Sequence, residues 1–128
     1  MNKDITILVV DDFATIRQII KNFLKELGFK NVIEADDGVT AIPILKKKVV
    51  DLLITDWNMP AVSGIELLRF VRASKKIQCL PVLMVTAEAN RHQIIQAAEA
   101  GVNGYIVKPF NCSLLEDKIH TIFERLIK

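Results

Sequence analysis

The chain alternates between short apolar runs and longer stretches with helical spacing. Residues 5–10 are apolar apart from Thr6 and rich in β-branched side chains, the pattern of a strand covered on both faces. After Asp11-Asp12 the spacing changes. Phe13, Ile16, Ile19, Ile20, Phe23, Leu24 and Leu27 recur at helical intervals with Arg17, Lys21 and Lys25 between them, and Gly28 stops the run. The same unit then repeats: 31–35, 51–56, 81–86 and 104–108 read as strands, followed by helices near 39–48, 64–73, 91–100 and 112–127. Strands alternating with helices at this spacing predict an α/β fold, a doubly wound parallel sheet of five strands with five helices on both faces. Turn residues agree at several joints. Asp36-Asp37-Gly38 and Ala100-Gly101 supply turn or C-cap glycines, and Asn111 or Ser113, the latter with Glu116 three residues on, supplies an N-cap for the last helix. Pro43 conflicts with its helical surroundings, because it lacks a backbone donor and crowds the preceding turn. A kinked or late-starting second helix is the expectation there.

Length and composition add bounds. A chain of 128 residues, 51% hydrophobic and 25% charged, fits one compact domain over 1–128, with nothing left over for an output domain. Such a chain builds a core without disulfides, and Cys79 and Cys112, far apart and in no CxxC pattern, read as reduced thiols. Seventeen basic against fifteen acidic residues gives +2, too balanced to argue for a nucleic-acid partner. Lys46-Lys47-Lys48 is the one tight basic run and reads as a solvated helix end. No run approaches the roughly 18 apolar residues of a membrane span, and the charged start Met1-Asn2-Lys3-Asp4 does not resemble a signal peptide. A cytoplasmic protein without membrane insertion is expected.

In an open parallel sheet, ligands bind outside the carboxyl ends of the strands, near the point where strand order reverses. Those ends carry Asp11-Asp12, Asp56, Thr86 and Lys108. Two carboxylates about 4 Å apart repel by roughly 4 kcal/mol at an effective dielectric near 20, so the cluster requires cations. Lys108 supplies one charge, and a divalent ion would neutralise the remainder. Oxygen donors without histidine or cysteine point to a hard cation, and few carboxylates with room for water and phosphate suit Mg2+.

The segments holding these residues resemble the receiver domain of two-component response regulators, most closely its stand-alone chemotaxis members. The likeness rests on Val9-Val10-Asp11-Asp12-Phe13, Thr55-Asp56-Trp57-Asn58-Met59-Pro60 with Ser63-Gly64, Met84-Val85-Thr86-Ala87-Glu88 and Gly104-Tyr105-Ile106-Val107-Lys108-Pro109-Phe110, and it covers essentially the entire chain. It implies a flavodoxin-like strand order of 2-1-3-4-5 and a phosphoacceptor at Asp56, loaded from a phosphohistidine of a chemotaxis sensor kinase. It further implies Mg2+ on Asp12, Asp56 and the backbone carbonyl of Asn58, with Asp11 acting largely through water. Lys108 and Thr86 would engage the phosphoryl oxygens, and the Lys108-Pro109 bond would be cis. Acyl-phosphate chemistry suits the residues independently, since a carboxylate is a competent nucleophile and phosphoryl transfer needs mainly positioning and charge neutralisation.

The resemblance also assigns outer roles. Asn58 and Glu88 match positions that tune hydrolysis of the acyl phosphate, and Trp57 is expected to report metal and phosphoryl binding by fluorescence. Thr86 and Tyr105 would form a two-state relay that changes the surface of helix four, strand five and helix five, presenting Arg91, Ile94, Tyr105 and Lys118 to a target. For chemotaxis members that target is the flagellar motor switch, with a phosphatase as a further partner and the receiver acting as a monomer. Asn90-Arg91-His92 departs from the more lysine-rich start of helix four in close relatives, which bears on partner recognition. His92 and His120 read as surface residues. The expected activity is self-phosphorylation and dephosphorylation only, rather than enzymatic turnover of a separate substrate. The alternative is a phosphorelay receiver passing phosphate to a histidine phosphotransfer protein. A haloacid-dehalogenase-type phosphatase fits poorly, lacking a DxD pattern and a cap, and a degenerate interaction module is disfavoured by the complete acidic set.

Overall fold

A computed structural model describes residues 1–88 and 90–127. It contains β1 (Thr6–Val10), α1 (Ala14–Glu26), β2 (Asn31–Ala35), α2 (Gly38–Lys47), β3 (Leu52–Asp56), α3 (Gly64–Ala73), β4 (Val82–Thr86), α4 (Arg91–Glu99), β5 (Gly104–Val107) and α5 (Cys112–Ile127). All strand pairs are parallel, in the order β2-β1-β3-β4-β5. The doubly wound sheet expected from the alternating pattern is therefore present. Among the described residues, no helix is long and apolar enough to cross a membrane.

Both faces of the sheet are buried, which explains the unbroken apolar runs. Ile7 and Val9 point to the side covered by Ile20 and Leu24 of α1 and by Leu115, Ile119 and Ile122 of α5. Leu8 and Val10 point to the other side, against Ala41 and Leu45 of α2, Leu67, Leu68 and Val71 of α3, and Ala97 of α4. Burying a leucine or isoleucine completely contributes roughly 1.5–3 kcal/mol, and Ile7 to Val10 of β1 are almost wholly enclosed.

Helix ends follow local chemistry. Gly28 and Gly101 adopt left-handed φ values of 96° and 90°. Each closes a helix in a Schellman arrangement: Phe29 N–H donates to Leu24 and Val102 N–H to Ala97. Ser63 and Glu66 form a reciprocal capping box at α3. For α5, the side chain of Asn111 accepts from Leu114 N–H at 2.8 Å, so Asn111 rather than Ser113 occupies the cap.

The late start expected for the second helix does not occur. Asp37 caps it by accepting from Thr40 N–H at 3.0 Å, and helical structure continues from Gly38 through Pro43 to Lys47. Pro43 is exposed, as is Val39, whose carbonyl loses the N–H that a non-proline residue would donate. Water can replace that donor on the outer face. Asp51, expected to open the third strand, lies outside it and accepts from Thr6 N–H at 2.8 Å.

Candidate functional site

Strand register sets the site. Val10 of β1 lies beside Thr55 of β3, so the next residues, Asp11 and Asp56, leave adjacent strands together. This is where the chain, having placed β2 on one side of β1, crosses to the other. Carboxylate oxygens of Asp11, Asp12 and Asp56 lie within 4.8 Å of one another. On the far side, Thr86 of β4 pairs with Val107 of β5, and Lys108 follows. The Lys108-Pro109 peptide bond is cis. Lys108 Nζ reaches back to Asp11 Oδ2 at 3.1 Å and Asp56 Oδ1 at 3.3 Å.

The electrostatics are uneven. Asp11 and Asp56 are buried while one ammonium serves both. Burial, then the neighbouring Asp11 charge, pushes the Asp56 carboxyl above the ordinary 3.8, with Lys108 opposing them in part. Burial works against the Lys108 ammonium, but the hydrogen bond and charge of Asp11, followed by Asp56, outweigh it and raise its pKa. The buried Oδ1 of Asp12 has no hydrogen-bond partner among the described residues. An orphaned carboxylate oxygen facing a cluster of hard oxygen donors fits a divalent cation such as magnesium. The three carboxylates could hold such an ion.

The backbone around the cluster is held by contacts that the sequence did not reveal. Asp11 Oδ1 accepts from Phe13 N–H at 2.9 Å, and Asp11 carbonyl accepts from Arg17 Nη1 at 2.7 Å. Arg17 Nε also pairs with Glu34 on β2, which Lys21 holds at 2.9 Å. The Arg17–Lys21 spacing of one helical turn on α1 was a visible signal, but the register of Glu34 was needed to interpret it. Gly64 permits another close approach. A Cβ there would fall 2.1 Å from the Asp56 carbonyl and 2.9 Å from Met84 sulfur, so only glycine lets α3 begin directly against the end of β3.

Other candidate residues fall into two groups. Thr86 Oγ1 donates to the Glu88 carbonyl at 3.1 Å, and Tyr105 hydroxyl donates to the same oxygen at 3.3 Å. Tyr105 and Lys118 line one groove between β5 and α5. Arg91 and Ile94 are exposed on α4 and do not line it. Asn58 and Glu88 are exposed at the rim. Trp57 is buried immediately after Asp56 and belongs to the core cluster to which α2, α3 and α4 contribute. His92 and His120 are exposed, His120 beside Glu124 at 3.3 Å. Cys79 and Cys112 are free thiols.

Residues 7–120 match the response regulator receiver domain. Over 126 residues the chain is 60% identical to chemotaxis protein CheY-3 of Vibrio cholerae serotype O1, covering 98% of this chain and 97% of that protein. Over 120 residues it is 62% identical to chemotaxis protein CheY of Pseudomonas aeruginosa, covering 94% and 97% of the two chains. Among solved structures, chemotaxis protein CheY4 of Vibrio cholerae superposes with a TM-score of 0.87 at 32% identity, covering 93% of this chain and 98% of that one.

Proposed function

The chain belongs to the response regulator receiver domain family, and on that premise we propose that it is a phosphorylation-activated switch of chemotaxis with Asp56 as the phosphoacceptor. The observation that carries this reading is the shared rim of Asp11, Asp12, Asp56 and Lys108, with an unpartnered Asp12 oxygen. A carboxylate oxygen of Asp56 attacks the phosphorus of a kinase phosphohistidine. The phosphorus–nitrogen bond breaks, and the imidazole nitrogen keeps the electron pair. Asp56 must be ionised to attack, and the Lys108 ammonium at 3.3 Å favours that form against burial and the Asp11 charge. Asp11, Asp12, Asp56 and the Asn58 carbonyl would hold magnesium, which supplies charge neutralisation to the phosphoryl oxygens when bound.

The acyl phosphate adds charge that Lys108 and Thr86 are placed to receive. Thr86 has one hydroxyl proton, now committed to the Glu88 carbonyl. Donating it to a phosphoryl oxygen releases that carbonyl and leaves Tyr105 as its remaining hydroxyl donor. Phosphorylation thereby couples to the α4–β5–α5 surface carrying Arg91, Ile94, Tyr105 and Lys118, which we assign to a flagellar motor switch protein. Asn58 and Glu88 flank the path by which water reaches the acyl phosphate, with a phosphatase as an added route of reset.

Acetyl phosphate with magnesium should label the protein and quench Trp57 fluorescence. Asp56→Asn should abolish labelling. Persistence of label in that variant would overturn the acceptor assignment. Thr86→Ala should accept phosphate while losing most of the phosphorylation dependence of target binding. A pulldown in the beryllofluoride state identifies the target: a flagellar switch component supports the motor reading, and recovery of a histidine phosphotransfer protein alone contradicts it.

A further inference from the structure

At the pole opposite the Asp56 cluster, the fold joins two basic segments that are separate in sequence. Lys46 and Lys47 end α2 and Lys48 is its C-cap, while Lys75 and Lys76 follow α3 in the loop leading to β4. All five are exposed. They line two adjoining grooves of about 220 and 240 Å³ that share Leu45, Lys76 and Ile77, and no acidic side chain lines either one. None of the five forms an ion pair among the described residues. Beside them stands Val49, 82% exposed. The α2 dipole favours lysines at its own end, but accounts for neither Lys75-Lys76 nor an apolar residue held out in water.

We propose that this pole is a docking surface for an anionic lipid bilayer. The charge is sufficiently concentrated: setting these five lysines aside, twelve basic residues remain against fifteen acidic ones, so the rest of the chain is net negative. The recognition chemistry is diffuse. Lysines carry point charges on flexible stems and lack the planar fork that fixes a single carboxylate or phosphate. The nearby arginine, Arg72, is committed to the carbonyls of Gly101, Gln78 and Leu80. Phe70, the aromatic ring in the grooves, is only partly exposed, and Lys46 Nζ lies 6.0 Å from its centroid, which leaves no open platform for stacking bases. Several unpaired ammonium groups around an exposed aliphatic side chain suit a laterally continuous anionic surface with an apolar layer below it. Docking by this pole leaves the Asp56 rim, at the other ends of the strands, facing away from the bilayer.

Co-sedimentation of the full chain with vesicles tests this. Vesicles of phosphatidylglycerol and phosphatidylcholine in equal parts should retain the protein at low salt, pure phosphatidylcholine should not, and raising the salt to about 0.3 M should release it. Each lysine near an anionic membrane contributes about five-fold in partitioning, so K75Q/K76Q should weaken retention about 25-fold. R91Q/K118Q removes the same charge from the α4–β5–α5 face, away from this pole, and should change retention less than about two-fold by the same reasoning. Thermal melts would establish that both variants fold. Absence of retention on anionic vesicles at low salt overturns the proposal, as do equal losses in the two variants, which would indicate net charge alone. Binding to immobilised polyglutamate without binding to vesicles would assign the pole to an acidic protein instead.

Discussion

The two ends of the sheet solve the problem of buried charge in opposite ways. At the amino ends, the guanidinium of Arg72 is half-buried and forms no ion pair among the described residues, yet its donors are engaged. Nε and Nη2 donate to the Gly101 carbonyl at 3.0 and 2.7 Å, Nη1 to Gln78 and Leu80, and Nη2 to Asn103 Oδ1, which also accepts from Val82 N–H. Burial lowers the Arg72 pKa, though a guanidinium remains protonated at any ordinary pH. At the carboxyl ends, Asp11 and Asp56 share one ammonium, and in the third carboxylate, Asp12, one oxygen goes without a partner among the described residues. The first arrangement ties two loops to a helix and needs nothing more. The second is incomplete by construction, and incomplete satisfaction in a folded protein marks a place where a ligand belongs.

The sharpest separation between the two ends should come from Arg72→Ala. It strands three carbonyls and an asparagine side chain together with the guanidinium's own packing, and should cost about 3–5 kcal/mol in urea denaturation. Arg72→Lys should recover less than half of that, because an ammonium cannot span the same acceptors. Magnesium titration followed through Trp57 should be unchanged in any variant that remains folded. A large shift in magnesium affinity would show that the two ends are coupled.

Asp56→Asn should act with the opposite sign. It removes a carboxylate that burial and Asp11 both disfavour, so the metal-free protein should gain about 1–2 kcal/mol while losing phosphoryl acceptance. The gain depends on pH. An acid whose folded pKa lies above its unfolded value holds its proton more tightly when folded, so its contribution favours folding below 3.8 and is lost as pH rises through the folded value. The advantage of the Asp56→Asn variant over the native chain should therefore be small in acid and grow toward neutrality in magnesium-free buffer. Lys108 titrates at the alkaline side: its contribution is complete below 10.5 and is lost as pH climbs through its raised folded value. A flat difference between the native chain and Asp56→Asn from acid to neutral pH would contradict the assigned environment of Asp56.

The same contrast explains what was legible in the sequence. Strand-end acids, lysine and hydroxyl could be read because a parallel sheet sends the ends of its strands to one rim, and their order along the chain identified the family. Arg72 could not, because all its partners but the Asn103 side chain are backbone carbonyls, from residues 78, 80 and 101, and carbonyls carry no side-chain signature. Arg17 escaped for the same reason, its main role being a bond to the Asp11 carbonyl. Pro43 misled as to where the second helix starts, because the rule against proline in helices does not register which way the freed carbonyl faces. The meeting of Lys46-Lys47-Lys48 with Lys75-Lys76 at the amino pole required the fold itself.

The smallest expected effect concerns backbone strain beside the site. Ala61, in the loop between β3 and α3, has φ 63°, and Val62 N–H donates to the Pro60 carbonyl at 2.8 Å across it. A bond between residues two apart around a positive φ defines a tight γ-turn that an L-residue occupies under strain. The left-handed conformation costs a residue with a Cβ roughly 1–2 kcal/mol, while glycine gives back about 0.4–1 kcal/mol through its freer unfolded chain. Ala61→Gly should therefore stabilise the protein by about 0.5 kcal/mol, a shift that urea denaturation can resolve when the unfolding slope is unchanged. A loss of stability would mean that Ala61 relaxes in solution to an unstrained backbone. A gain would place stored strain in the loop that carries Asn58, at the end of the sheet whose buried carboxylates are incompletely satisfied, and would extend the contrast with the fully bonded Arg72 from electrostatics to the backbone.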